Sequence, residues 1–267
     1  MTHPNRLNTL QVFRGVAALL VVLYHATVYS QEQLGYTFLG GAFLFGHTGV
    51  DFFFVLSGFI IYYVHRNDIG QPGQLRSYAL KRLLRVFPVY WIVTGIKLAL
   101  IIVVPTLAKS YERDPWVILK SFLLLPQVNL PLIGAAWTLT FELLFYIFFG
   151  LAILLPRRWA LRLAIVWGGG TLLYNAAKLL QMPLPNSLLL NVLFHERNLE
   201  FGLGCLSAYL VIHGKVPGKR AMVLAGLALF GWAGWQVARG YAPPLYSPIF
   251  GLASFLVDGQ EPPVVVG

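Results

Sequence analysis

Apolar residues fill this chain in long blocks, and polar positions gather in the gaps between them. The blocks fall at about 9–29, 40–64, 86–104, 134–155, 163–180, 188–212 and 221–238, with a shorter one at 245–257. A helix needs about 20 mostly apolar residues to cross the hydrocarbon of a bilayer. The first seven blocks fit that length and the last is marginal. A further apolar piece at 116–125 is too short to span and is expected to lie in the interface or re-enter. The pattern predicts an all-α, polytopic transmembrane helix bundle of seven to eight spans. It forms one domain over residues 1–257, followed by a tail at 258–267. No internal repeat, coiled coil or low-complexity segment interrupts it.

Two gaps shape the expectations most. Residues 30–35 read as a polar loop after the first span. Residues 65–85 read as a basic loop ending in LKRLLRVFPVYW, which sets Arg82 and Arg85 one turn apart on a short amphipathic helix, with Pro88 opening the third span. Positive-inside anchoring alone would account for these two arginines. Tyr90, Trp91 and Trp137 fit an aromatic belt, and His47 a solvated surface site. Gly46, Gly49 and Gly58 suit close helix approach.

Composition sharpens the class. The chain has 267 residues, 57% hydrophobic and 11% charged, against about 25% charged in soluble domains. That marks a polytopic membrane protein rather than a soluble domain with an anchor. The net charge is +10, but the basic residues are not clustered as a nucleic-acid patch. Arg6, the five between Arg66 and Arg85, then Arg157, Arg158 and Arg162, then Lys215, Lys219 and Arg220 occupy alternate gaps. The other gaps hold fewer, diluted by Glu32, Glu112 and Asp114. This bias places the N-terminus in the cytoplasm. Cys205 is the single cysteine, so no intramolecular disulfide or cysteine metal site can form. The first block lacks a small-residue cleavage site and reads as a retained helix.

Against this apolar background the ionisable residues inside the blocks are expensive and become functional candidates. In the first block they are Arg14 and His25. Eleven steps of about 100° make three turns plus about 20°, so the two share a face about 16 Å apart along the axis. A polar cavity on that face would explain both. Snorkelling of Arg14 and a bond from His25 to a neighbouring carbonyl would explain them separately. Asp51 opens the second block, one turn after His47. Glu142 is the one charge in the fourth, with Tyr146 one turn on. His195, Glu196, Arg197 and Glu200 open the sixth. Arg197 with Glu196 or Glu200 also reads as a structural ion pair.

Histidine is the natural proton acceptor near neutral pH, and a carboxylate beside it would orient the ring. His25 is the candidate base, with Glu142, or less directly Asp51, as its partner. The planar fork of arginine suits phosphate, which makes Arg14, Arg82 and Arg85 candidate anion ligands on the cytoplasmic side. Tyr146, Arg197 and Glu200 are candidates on the acceptor side. Such a polarised set suits group transfer across a membrane, and equally a proton relay in a carrier. A carrier would be expected to show repeated halves and broken helices at matching positions, and neither is evident.

Several phrases bear a resemblance that favours transfer. LQVFRGVAALLVVLYHA is similar to the first helix of acyltransferase family 3, in which a basic residue, ten residues and a histidine recur, here Arg14 and His25. GVDFFFVLSGFII and KRLLRVFPVYW resemble the family's next two motifs. AAWTLTFELLFY resembles the motif holding its glutamate, here Glu142, and NLEFGLG a later one, here Glu200. The set looks closest to exopolysaccharide O-acetyltransferases of the succinoglycan type. The resemblance implies an integral inner-membrane enzyme moving an acyl group, usually acetyl, from cytoplasmic acyl-CoA to a hydroxyl of an extracytoplasmic or lipid-linked glycan. Acyl-CoA is then a co-substrate, and no permanently bound cofactor or metal is implied. Family members commonly have ten spans, so the count here implies that the last two are missing. An inactive remnant that binds a partner in polysaccharide assembly is the alternative this leaves open.

Overall fold

A computed structural model describes residues 4–214. The blocks at 221–238 and 245–257 and the tail lie outside the described residues. Every regular element among the described residues is helical. Among the described residues, three stretches are long and apolar enough to cross a membrane: Leu44–His65, Pro72–Val103 and Gly134–Leu154. The chain divides into two compact units, Met1–Val64 with Leu199–Gly267, and His65–Asn198.

In the first unit, α1 runs from Pro4 to Leu34. It continues through 30–34, where the sequence suggested a loop. Ser30 explains the difference: it is buried, its hydroxyl donates to the Thr27 carbonyl at 2.9 Å, and it accepts from the Phe38 amide at 3.2 Å. The helix stops at Gly35, whose φ of +70° is the left-handed conformation that commonly ends helices. Two 3-10 turns, Phe38–Gly41 and Leu44–His47, lead into α2, Thr48–His65. The chain packs back along α1 through glycines. A Cβ at Gly49 would meet the Ala17 carbonyl oxygen at 2.7 Å, and one at Gly46 would overlap that of Leu20. Small residues of this kind let helices approach where water supplies no driving force. The unit's remaining described helix is α8, Arg197–Ile212, from Leu199 onward. It crosses α2 by the same device, since a Cβ at Gly58 would overlap the Phe201 carbonyl and one at Gly204 that of Val55. The Cys205 thiol faces the Gly58 carbonyl there, as a small packing residue.

In the second unit, α3 spans Leu75–Val103 without a break. Pro88 therefore lies inside a helix rather than opening one, and Arg82 and Arg85 belong to the spanning helix itself. Intramembrane helices tolerate such a proline when neighbours re-satisfy the backbone. The short helix α4, Pro115–Phe122, is capped by the Asp114 side chain. It is tied to α3 twice: the Tyr90 hydroxyl donates to the Ser121 carbonyl, and the Trp91 indole donates to that of Phe122 at 2.9 Å. The Ser121 hydroxyl also receives the Leu132 amide at 3.0 Å, which fixes the following loop. Tyr90 thus sits in a core with Leu124 and Ala136, and not in an aromatic belt. α5 covers Trp137–Leu154, α6 covers Arg157–Leu179 and α7 covers Leu188–Leu193. The sixth block is therefore interrupted at 194–196, where the expected single span divides into α7 and α8.

Candidate active site

The second unit holds a connected polar network inside its helices. Arg82 is buried on α3, a 29-residue helix in place of the short amphipathic one that the sequence suggested. Its guanidinium lies 3.1 Å from His65 Nε2, and His65 Nδ1 lies 2.7 Å from Asp68 Oδ2. Above it, the guanidinium carbon stands 5.9 Å from the Tyr78 ring and 6.0 Å from that of Tyr146. The Tyr146 hydroxyl donates to Glu142 Oε1, the i, i+4 pairing that the α5 sequence suggested. The Tyr78 hydroxyl in turn donates to the Tyr146 carbonyl at 3.2 Å. A candidate phosphate ligand and a candidate catalytic carboxylate are thus separated by one aromatic ring. Arg85 is exposed on the same helix.

Local sequence explains the arrangement. Leu75, Tyr78 and Arg82 recur at helical spacing on α3, and a Cβ at Gly150 of α5 would meet Leu75 at 3.4 Å and Tyr78 at 3.7 Å. The absent side chain admits Tyr78, and Tyr78 with Phe149 encloses His65, whose ring centroid is 5.0 Å from Tyr78 and 6.5 Å from Phe149. His65 and Asp68 belong to this site but were read only as the start of a basic loop. The available signal was His and Asp at i, i+3 beside a buried aromatic pair, which sequence alone does not distinguish from solvated loop chemistry.

A second cluster in this unit surrounds the helix break. Arg197 is buried with its guanidinium carbon 4.4 Å from the Trp137 ring. The His195 ring lies 4.7 Å from that of Phe141, and its Nδ1 accepts from the Arg197 amide at 3.3 Å. Trp137 therefore stacks against a cation. Asn198 holds the break closed by donating to the Val192 and Leu193 carbonyls at 3.0 Å.

In the first unit, Arg14 and His25 share α1. Arg14 is half-buried and His25 is exposed. Both flank the Ala17, Leu20 and Tyr24 stripe that meets Gly46 and Gly49. The His25 ring stands edge-on to Tyr24 at 5.2 Å, and Tyr24 is 5.6 Å from His47. His47 is half-buried rather than solvated, and its Nδ1–H donates to the Leu44 carbonyl at 2.8 Å. Asp51 is fully buried on α2. It lies two residues past Gly49, about 200° round the helix, on the face away from α1. Asp51 shares its helical face with Phe54, Gly58 and Ile61. Glu200 is buried on α8 beside Phe201, whose ring packs 4.9 Å from Phe54.

Comparison with known proteins gives the arrangement a setting. A family model described as an acyltransferase domain matches residues 7–257. The exopolysaccharide production protein ExoZ of Rhizobium meliloti (strain 1021) is 30% identical over 233 residues, 80% of this chain and 65% of that protein. The chain therefore spans less than two thirds of the length of that relative. No solved structure matches it.

Proposed function

The chain belongs to acyltransferase family 3, and from that premise we propose that it moves an acyl group, in the first instance acetyl, onto an exopolysaccharide. The donor is acyl-CoA on the cytoplasmic side of the inner membrane, and the acceptor a hydroxyl of an extracytoplasmic or lipid-linked glycan. The likeness to an exopolysaccharide production protein supports the acceptor class. The basic gaps 65–85 and 157–162 support a cytoplasmic N-terminus.

In this reading His25 removes the acceptor hydroxyl's proton. The oxygen attacks the thioester carbon, the C–O bond forms as the C–S bond breaks, and the proton passes to the departing thiolate. Arg14, Arg82 and Arg85 hold the donor's phosphates. Glu142, held by Tyr146, is assigned the role of the carboxylate that orients or charges the base. Tyr146, Arg197 and Glu200 lie on the acceptor side, and Asp51 is the weaker candidate for orienting His25. The observation that carries the reading is the network in which a buried guanidinium and Glu142 flank the same tyrosine.

The test uses purified protein, acetyl-CoA labelled in the acetyl group, and a lipid-linked oligosaccharide. Label should appear in the glycan, and His25→Ala should slow its appearance by about 10² to 10⁴-fold. Donor binding without transfer by the unaltered chain would leave a binding remnant instead.

A further inference from the structure

Arg82 is 9% exposed inside a spanning helix, where an unanchored cation is costly. Its partner is unusual, because a guanidinium carries donors only. His65 Nε2, 3.1 Å away, must therefore accept. The imidazole is then neutral, with its one proton on Nδ1. That proton faces Asp68 Oδ2 at 2.7 Å, and the carboxylate accepts it. Chemistry thus fixes the order of donation, from Arg82 to His65 to Asp68. The same Asp–His geometry that readies a base elsewhere is spent here on orienting a cation. The His65 ring is itself 5% exposed and is held by Tyr78 and Phe149. Of the fork's other donors, Arg82 Nε is buried with no hydrogen-bond partner among the described residues.

We propose that His65 and Asp68 are positioning residues that lock the Arg82 guanidinium for an anionic oxygen of the acyl donor, the phosphate class. The role rests on the reading of Arg82 as a donor ligand. His65 accepts from one edge of the fork, the Tyr78 and Tyr146 rings limit its tilt, and the fork carries donors beyond the one His65 takes with which to meet an oxyanion. Bidentate recognition of phosphate needs the plane of the fork fixed in this way.

Titration of the purified full chain with coenzyme A tests the role. His65→Phe keeps the ring packing and removes the acceptor, and is expected to weaken coenzyme A binding about tenfold, as for loss of a charge-assisted hydrogen bond. His65→Gln returns an acceptor within reach and should recover most of the loss, which a purely structural role would not require. In an Arg82→Ala background, His65→Phe should add less than about twofold. Asp68→Asn gives a variant of the same test that spares the packed ring, since its amide can donate to Nδ1 and turn an Nε2–H toward Arg82. It too should weaken binding. Wild-type affinity in both His65→Phe and Asp68→Asn, or full additivity with Arg82→Ala, would overturn the positioning role. Wild-type affinity in Arg82→Ala would instead remove the donor-ligand reading on which it stands.

Discussion

Tyr146 shows what a single side chain contributes here. It is 5% exposed, donates to Glu142 and lies against Arg82. Tyr146→Phe would leave the half-buried Glu142 without that donor and remove little packing. Loss of a hydrogen bond to a charged group costs about 1.5–3 kcal/mol. Transfer is therefore expected to fall about tenfold or more, with a wild-type circular dichroism spectrum. Glu142 stood out in the sequence because charge is rare inside apolar blocks, and Arg82 because the fork of arginine suits phosphate. Their connection did not, because it runs between helices through a tyrosine ring and a glycine-admitted contact. His65 and Asp68 were hidden for a related reason: burial, not residue type, separates them from ordinary loop groups.

Helix boundaries were legible wherever apolar runs met charge, as at α2 and α5. They failed where a local bond outweighs composition. Ser30 carries α1 past its apolar block, and α3 continues through Pro88 into residues read as a loop. The break between α7 and α8 falls where His195, Glu196 and Arg197 interrupt the apolar run, a signal outweighed by the block's length, and Asn198 closes it with two side-chain bonds. Glycines make the sharpest element-level prediction. Gly58→Ala and Gly204→Ala would each drive a methyl into a facing backbone carbonyl, so either should cut the yield of folded protein and lower its melting temperature. Gly95→Ala, on α3 with open space round the position, should be neutral or slightly stabilising, as helix propensity favours alanine by about 1 kcal/mol. Differential scanning fluorimetry in detergent would separate the three.

Orientation belongs to the whole chain, because it follows from the sum of basic residues in alternate gaps and from no single one. Replacing Cys205 with alanine yields a background without thiols, and single cysteines then report sidedness. Val128, 90% exposed, should accept a membrane-impermeant maleimide in spheroplasts when changed to cysteine. Asn67, exposed just beyond α2, should react only after permeabilisation. The opposite pattern would reverse the assigned side of the donor. A last consequence follows from Pro88. Lacking an N–H, it leaves the Leu84 carbonyl without its usual helical donor, so α3 has a rung missing between Arg82 and Tyr90. The segment above is lashed to α4 by Tyr90 and Trp91, while the segment below carries Arg76, Arg82 and Arg85. Bending is easiest at that gap, so a hinge in α3 is expected between the Arg82 network and the contacts to α4.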